Sequence, residues 1–85
     1  MTKQTKVLQF KVVLEQDEDG IYIASVPELP GCYTQGKSLE EVRERIEEVI
    51  ELILDSDHKI REEKIKSPKS NPRFFGIEDI EIRYA

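Results

Sequence analysis

Only one cysteine, Cys32, occurs in the 85 residues, so no internal disulfide can form and the fold must rest on packing. A lone cysteine agrees with a reducing compartment, and the expected localisation is cytoplasmic. No apolar run approaches the roughly 20 residues that span a bilayer. The N-terminal MTKQTKV carries charge without an apolar stretch and does not read as a signal peptide. Positive charge is also in deficit. Thirteen Lys and Arg stand against 18 Asp and Glu, a net charge of −5. An acidic surface repels phosphate backbones, which argues against direct nucleic-acid binding and favours a basic protein partner. There is no glycine-rich phosphate loop, no nucleophile beside a base and no cluster with metal-ligand spacing. No catalytic residue, metal or cofactor is expected.

The length suits one domain over residues 1–85, with no room for a second core. Residues 1–5 are polar and read as a frayed end. Residues 7–15 alternate, with Leu8, Phe10, Val12 and Leu14 on the buried side of a strand. Asp17, Glu18, Asp19 and Gly20 make a turn, and residues 21–26 return as a β-branched and aromatic strand. Tyr22, Ala24 and Val26 share one face. Pro27 ends the strand, and Pro30-Gly31 makes a tight turn. A short third strand follows from Cys32 until Gly36 breaks it.

Ser38, three residues before Glu41, spells a capping box. Leu39, Val42, Ile46, Val49, Ile50, Ile53 and Ile60 then fall on one stripe, predicting a single long helix to about residue 62. Prolines and serines mark residues 65–73 as an irregular connector. Ile80, Ile82 and Tyr84 alternate with Glu81 and Arg83 as a fourth strand. The expected fold is α+β in two layers, β-β-β-α-β. A three-stranded antiparallel meander carries the helix on one face, and the C-terminal strand returns beside the first.

Several residues admit two readings. Pro27, Pro30 and Gly31 fix a chain reversal or form a recognition loop. Glu28, between the prolines, has no conformational role and is the better contact. Cys32 reads as a small buried hydrophobe or a reactive thiol. His58 reads as a cation near a helix C-terminus or a ligand. Asp17, Glu18 and Asp19 fit a solvated turn, lacking the pattern of a calcium loop. Glu40, Glu44, Glu47, Glu48, Glu51 and Asp55 line the outer face of the helix, interrupted by Arg43 and Arg45. They fit either an ordinary solvated face or a dock for a basic partner. Val13, Ile21 and Ile23 on the outer sheet face form either scattered apolar surface or a homodimer patch.

From the VPELPGC turn to the GKSLEEV helix start, residues 21–42 resemble the HicB family of antitoxins, whose members read Y-x-A-x-V-P-x-L-P-G-C, a short strand, and G-[DN]-T-x-E-E-A at the helix start. The matching positions are Tyr22, Ala24, Val26, Pro27, Leu29, Pro30, Gly31 and Cys32, then Gly36, Ser38, Glu40 and Glu41. Departures are Lys37 for an acidic residue, Ser38 for Thr, and Val42 and Val49 where Ala is usual.

The resemblance implies a partial ribonuclease-H-like fold. It implies an antitoxin that binds a small basic HicA-type ribonuclease toxin and occludes its RNA-cleaving surface. Many members add a C-terminal DNA-binding domain; the 13 residues after Pro72 read as a strand, so direct DNA binding is not expected. The alternative is a stand-alone homodimeric interaction module without a toxin. A metal-dependent nuclease fits less well, since Glu15 is the only carboxylate near the first strand's core side.

Overall fold

A computed structural model describes residues 6–70 and 76–84. The expectations for residues 1–5 and for 71–73 of the connector lie outside the described residues. Strands β1 (Val13–Gln16), β2 (Tyr22–Ser25) and β3 (Tyr33–Gly36) precede helices α1 (Leu39–Ser56) and α2 (His58–Lys66). The strands form one antiparallel sheet in the order β1-β2-β3, the expected meander. Helix α1 packs on β2 and β3, so the architecture is a two-layer α+β fold.

Both turns follow from their residues. Asp17 Oδ1 accepts from the amides of Asp19 and Ile21, each at 2.9 Å. Gly20 takes φ +83°, which closes the hairpin at no steric cost. In the second turn Leu29 N donates to Val26 O and Cys32 N to Leu29 O, at 3.0 and 3.1 Å. Pro30 presets the first central position and Gly31, at φ +75°, takes the second, as a type II turn requires.

Strand β1 is shorter than the alternation predicts. It pairs with β2 as Val13↔Ser25 through Gln16↔Tyr22. Continuing that register would set Lys11 opposite Pro27, which turns the chain away and has no amide to donate. The amide of Lys11 instead donates to Glu28 Oε1 at 2.6 Å. That of Gln9 donates to Pro68 O at 2.7 Å. Residues 9–11 are thus bonded to the turn and the connector.

Ser38 caps α1, its hydroxyl accepting from Glu41 N at 3.1 Å. Glu41 returns the bond to the amide of Lys37, at 3.0 Å, one residue earlier than the standard box. Arg45 reaches from α1 to Gln35 O at 2.8 Å and pairs with Glu41 at 2.6 Å, fastening the helix to β3. This approach is close. A Cβ on Gly36 would lie 2.9 Å from Val42 N, a backbone atom that cannot swing aside. Gly36→Ala is expected to cost about 1–3 kcal/mol, read as a lowered urea midpoint with unchanged slope.

The single long helix is two helices, divided at Asp57. Asp57 has φ −118° and ψ 97°, outside the helical range. Its carboxylate accepts from Ile60 N at 3.1 Å, so it caps α2 just as α1 ends. Ser56 Oγ donates back to Leu52 O at 2.7 Å. Two adjacent side chains that compete for backbone bonds make this the weak point of the stripe. The second helix then runs past residue 62 to Lys66, into the segment expected to be irregular.

The buried core comprises Ala24, Val26, Leu29, Cys32, Val42, Ile46 and Ile50. Phe10, Val12, Tyr22, Val49, Ile53, Leu54 and Ile60 close its margins. The expected fourth strand makes no ladder with the sheet: residues 76–84 carry no strand assignment. An edge of four paired residues offers few ladder bonds against the entropy of ordering eight more.

Candidate functional site

Glu28 projects from between the two prolines into a groove of about 540 Å³ bounded by Phe10, Leu29, Pro30, Ile60 and Lys64. Its carboxylate gathers three distant parts of the chain. Oε1 accepts from the amide of Lys11 at 2.6 Å and from Ser70 Oγ at 2.8 Å. Oε2 accepts from Lys64 Nζ at 3.0 Å. The Lys64 side chain is only 9% exposed and that of Glu28 14%. The ammonium also lies 4.3 Å from the centroid of the Phe10 ring, a cation–π contact shielded from water. Burial by itself pushes the Glu28 carboxyl up. The bonds from Lys11, Ser70 and Lys64, with the lysine's charge, outweigh it and hold the pKa below the ordinary glutamate value.

This clasp ties together the first strand's approach, the proline turn, α2 and the connector. Glu28 was singled out from the sequence as a contact residue; both its oxygens are engaged within the chain. Lys64, Phe10 and Ser70 were not singled out. A signal for Lys64 existed, since it follows Ile60 by four residues on the same helical stripe.

The acidic face of α1 is more ordered than the sequence order suggests. At 100° per residue, Glu40, Glu44, Glu47, Glu48, Glu51 and Asp55 fall within roughly a 100° arc opposite Val42, Ile46 and Ile50. All six are exposed. Arg43 and Arg45 lie on either flank and do not interrupt the strip, and Arg45 is held by Glu41 and Gln35. Among the described residues, none of the six carboxylates has an ion-pair partner.

On the outer sheet face the register places Val13, Ser25 and Tyr33 in one row and Glu15, Ile23 and Gln35 in the next. Val13, Ile21 and Ile23 are half-buried, and Tyr33 is exposed. Tyr33 joins this face unforeseen, because only the pairing register puts it there. Of the remaining motif residues, Tyr22 flanks the core, Pro27 and Pro30 are exposed, and Cys32 is buried. Burial pushes the Cys32 thiol up, toward the unreactive neutral form.

His58 stands at the first residue of α2, directly after the Asp57 that ends α1, and not within the last turns of one long helix. Its Nδ1 lies 2.7 Å from an Arg61 guanidinium nitrogen. Among the described residues, no three His, Cys, Asp or Glu side chains gather as metal ligands. None of their helices is long and apolar enough to cross a membrane.

The family model described as the HicB-like antitoxin of bacterial toxin–antitoxin systems matches residues 10–79. The chain is similar to a UPF0150 protein of Archaeoglobus fulgidus, at 41% identity over 76 residues, covering 89% of this chain and 97% of that one. A UPF0150 protein of Synechocystis sp. is 53% identical over 47 residues, 55% of this chain and 68% of its own. One from Thermoplasma acidophilum is 41% identical over 64 residues, 75% and 88% of the two chains. No solved structure matches the chain at a significant level.

Proposed function

The chain belongs to the HicB-like antitoxin family of bacterial toxin–antitoxin systems, and on that premise we propose that it neutralises a small basic ribonuclease toxin of the HicA type. The observation that carries this reading is the family match over residues 10–79, which spans the sheet, both helices and the clasp. The strip of six exposed carboxylates on α1, without ion-pair partners among the described residues, supplies the complementary surface. A toxin that grips RNA needs lysines and arginines where it holds phosphate. Carboxylates at helical spacing occupy that ground in place of phosphate, and the bulk of the helix and sheet excludes the RNA. Such a charged rim acts mainly on association rate and specificity.

The test is co-expression with a small basic ribonuclease of the HicA type. The antitoxin is expected to restore growth and to co-purify. The combined variant Glu44→Lys, Glu47→Lys, Glu51→Lys is expected to lose rescue and slow association at least tenfold, while keeping its thermal midpoint within a few degrees. Rescue unaffected by the triple variant would move the contact off α1. Failure of the unaltered chain to bind or rescue would sink the proposal.

A further inference from the structure

Helix α2 is fastened to the molecule differently from α1. None of the buried apolar side chains of the core lies in α2. Its single buried side chain is the charged Lys64. Ile60 is half-buried at the margin of the core. Among the elements, α2 lies against α1 alone. Between α2 and the proline turn runs the groove of about 540 Å³, so the two are not close-packed.

What ties α2 and the connector down is polar and gathered at two residues. Glu28 accepts from Lys64 and Ser70. Gln9 donates its amide to Pro68 O at 2.7 Å and accepts from Ser70 N through Oε1 at 3.0 Å. The backbone is already non-helical at Asp57, so α2 can leave without unwinding α1. At the other end, residues 76–84 join no ladder that would hold the segment. A hydrogen bond contributes less, net, than a large buried apolar side chain, so these ties give way before the sheet and α1 do. Opening also returns Lys64 and Glu28 to water together. No charge is stranded, in contrast to a substitution at either one.

We propose that residues 58–70 are a flap hinged at Asp57, which opens as one unit while the sheet and α1 stay folded. A helix of nine residues does not hold by itself in water, so release and melting of α2 are a single event. Opening uncovers Phe10 and Leu29. It leaves Glu28 with the Lys11 amide alone of its three donors. The flap therefore governs whether the Glu28 carboxylate and the apolar side chains beside it meet solvent. The proposal is independent of the antitoxin reading.

Native-state hydrogen exchange of the full chain reads the unit amide by amide. The amides of α2, Ser70 and Gln9 are expected to share one opening free energy and one denaturant slope. Both should lie below those of Val42, Ile46 and Ile50 in α1. Gln9 is the decisive probe, because it stands 61 positions from Ser70 and its amide is held by Pro68. Ile60→Ala is expected to speed exchange of α2 and Gln9 together by about tenfold or more. Ile46→Ala is expected to speed α1 by about tenfold or more and to leave α2 and Gln9 within about twofold, since α1 is folded before and after the opening. Exchange of α2 and Gln9 at the free energy and slope of α1 overturns the proposal, by making the molecule one cooperative unit. So does exchange of α2 while Gln9 stays as protected as α1, which is fraying of a helix and not release of a flap. Equal acceleration of α2 and α1 in Ile46→Ala overturns it as well.

Discussion

Glu28→Ala is expected to lower the stability of the fold by about 3–5 kcal/mol, the range for removing one member of a buried ion pair. The loss comes less from the attraction itself than from what remains. Lys64, with 9% of its side chain exposed, would be left without its carboxylate. The Lys11 amide and the Ser70 hydroxyl would lose their acceptor as well. Against a total stability of roughly 5–10 kcal/mol for a domain of this size, that is a large share. Urea unfolding at neutral pH measures it.

Two companion variants separate charge from shape. Glu28→Gln keeps an oxygen for Lys11 and should cost less than alanine. Glu28→Leu combined with Lys64→Met removes both charges and should recover much of the loss. A double variant as unstable as Glu28→Ala would show that the hydrogen bonds, and not the charge pair, hold the clasp.

The same group sets a pH dependence whose sign is fixed. The Glu28 pKa is lowered in the folded chain, so folding favours its ionised form. The stability this supplies is fully present above the ordinary glutamate pKa. It is lost as pH falls through the lowered folded value. The gap in urea midpoint between the native chain and Glu28→Gln is therefore expected to be wide at pH 7 and to narrow under acid. A constant gap would assign the clasp to hydrogen bonding alone.

Local rules were legible in the sequence where the partners are near neighbours. Asp17 and Gly20 close a hairpin through bonds spanning two to four residues. Ser38 and Glu41 start α1 the same way. The stripe Val42, Ile46 and Ile50 reports its own buried face because helical period is a property of the chain alone. What stayed hidden depends on register and distance. The end of β1 is set by Pro27 lying opposite Lys11, which is invisible until the strands are aligned. The clasp joins Glu28 to residues 36 and 42 positions away. Glu28 looked free for a partner because its internal partners are so remote. The helix break at Asp57 was masked by apolar periodicity continuing through Ile60, although Ser56-Asp57 carried the capping chemistry. The alternation after residue 76 reads as a strand, yet among the described residues it joins no ladder, because alternation alone does not supply a pairing edge.

Ile46→Ala is expected to destabilise the fold by about 2–5 kcal/mol, the second large effect. Ile46 is 2% exposed at the middle of the α1 stripe, in one cluster with Ala24, Val26 and Leu29. The sheet side of that cluster includes Ala24, whose methyl has no further atoms to swing into the space. Helix α1 cannot sink to fill it, because Gly36 already lies at van der Waals limits from Val42 and Arg45 fixes the spacing through Gln35. A site that cannot collapse keeps its cavity, and the cost should fall in the upper part of the range. Val42→Ala offers the contrast. It removes less volume from a fully buried position next to the close approach at Gly36. It should cost about 1–2 kcal/mol, and its effect should add to that of Gly36→Ala, because a methyl at Gly36 meets Val42 N and Cα, which the substitution leaves in place. A double-mutant cycle in urea checks that additivity. Strong coupling would mean that α1 shifts bodily when Val42 shrinks, with Arg45, which ties it to Gln35, the next residue to test.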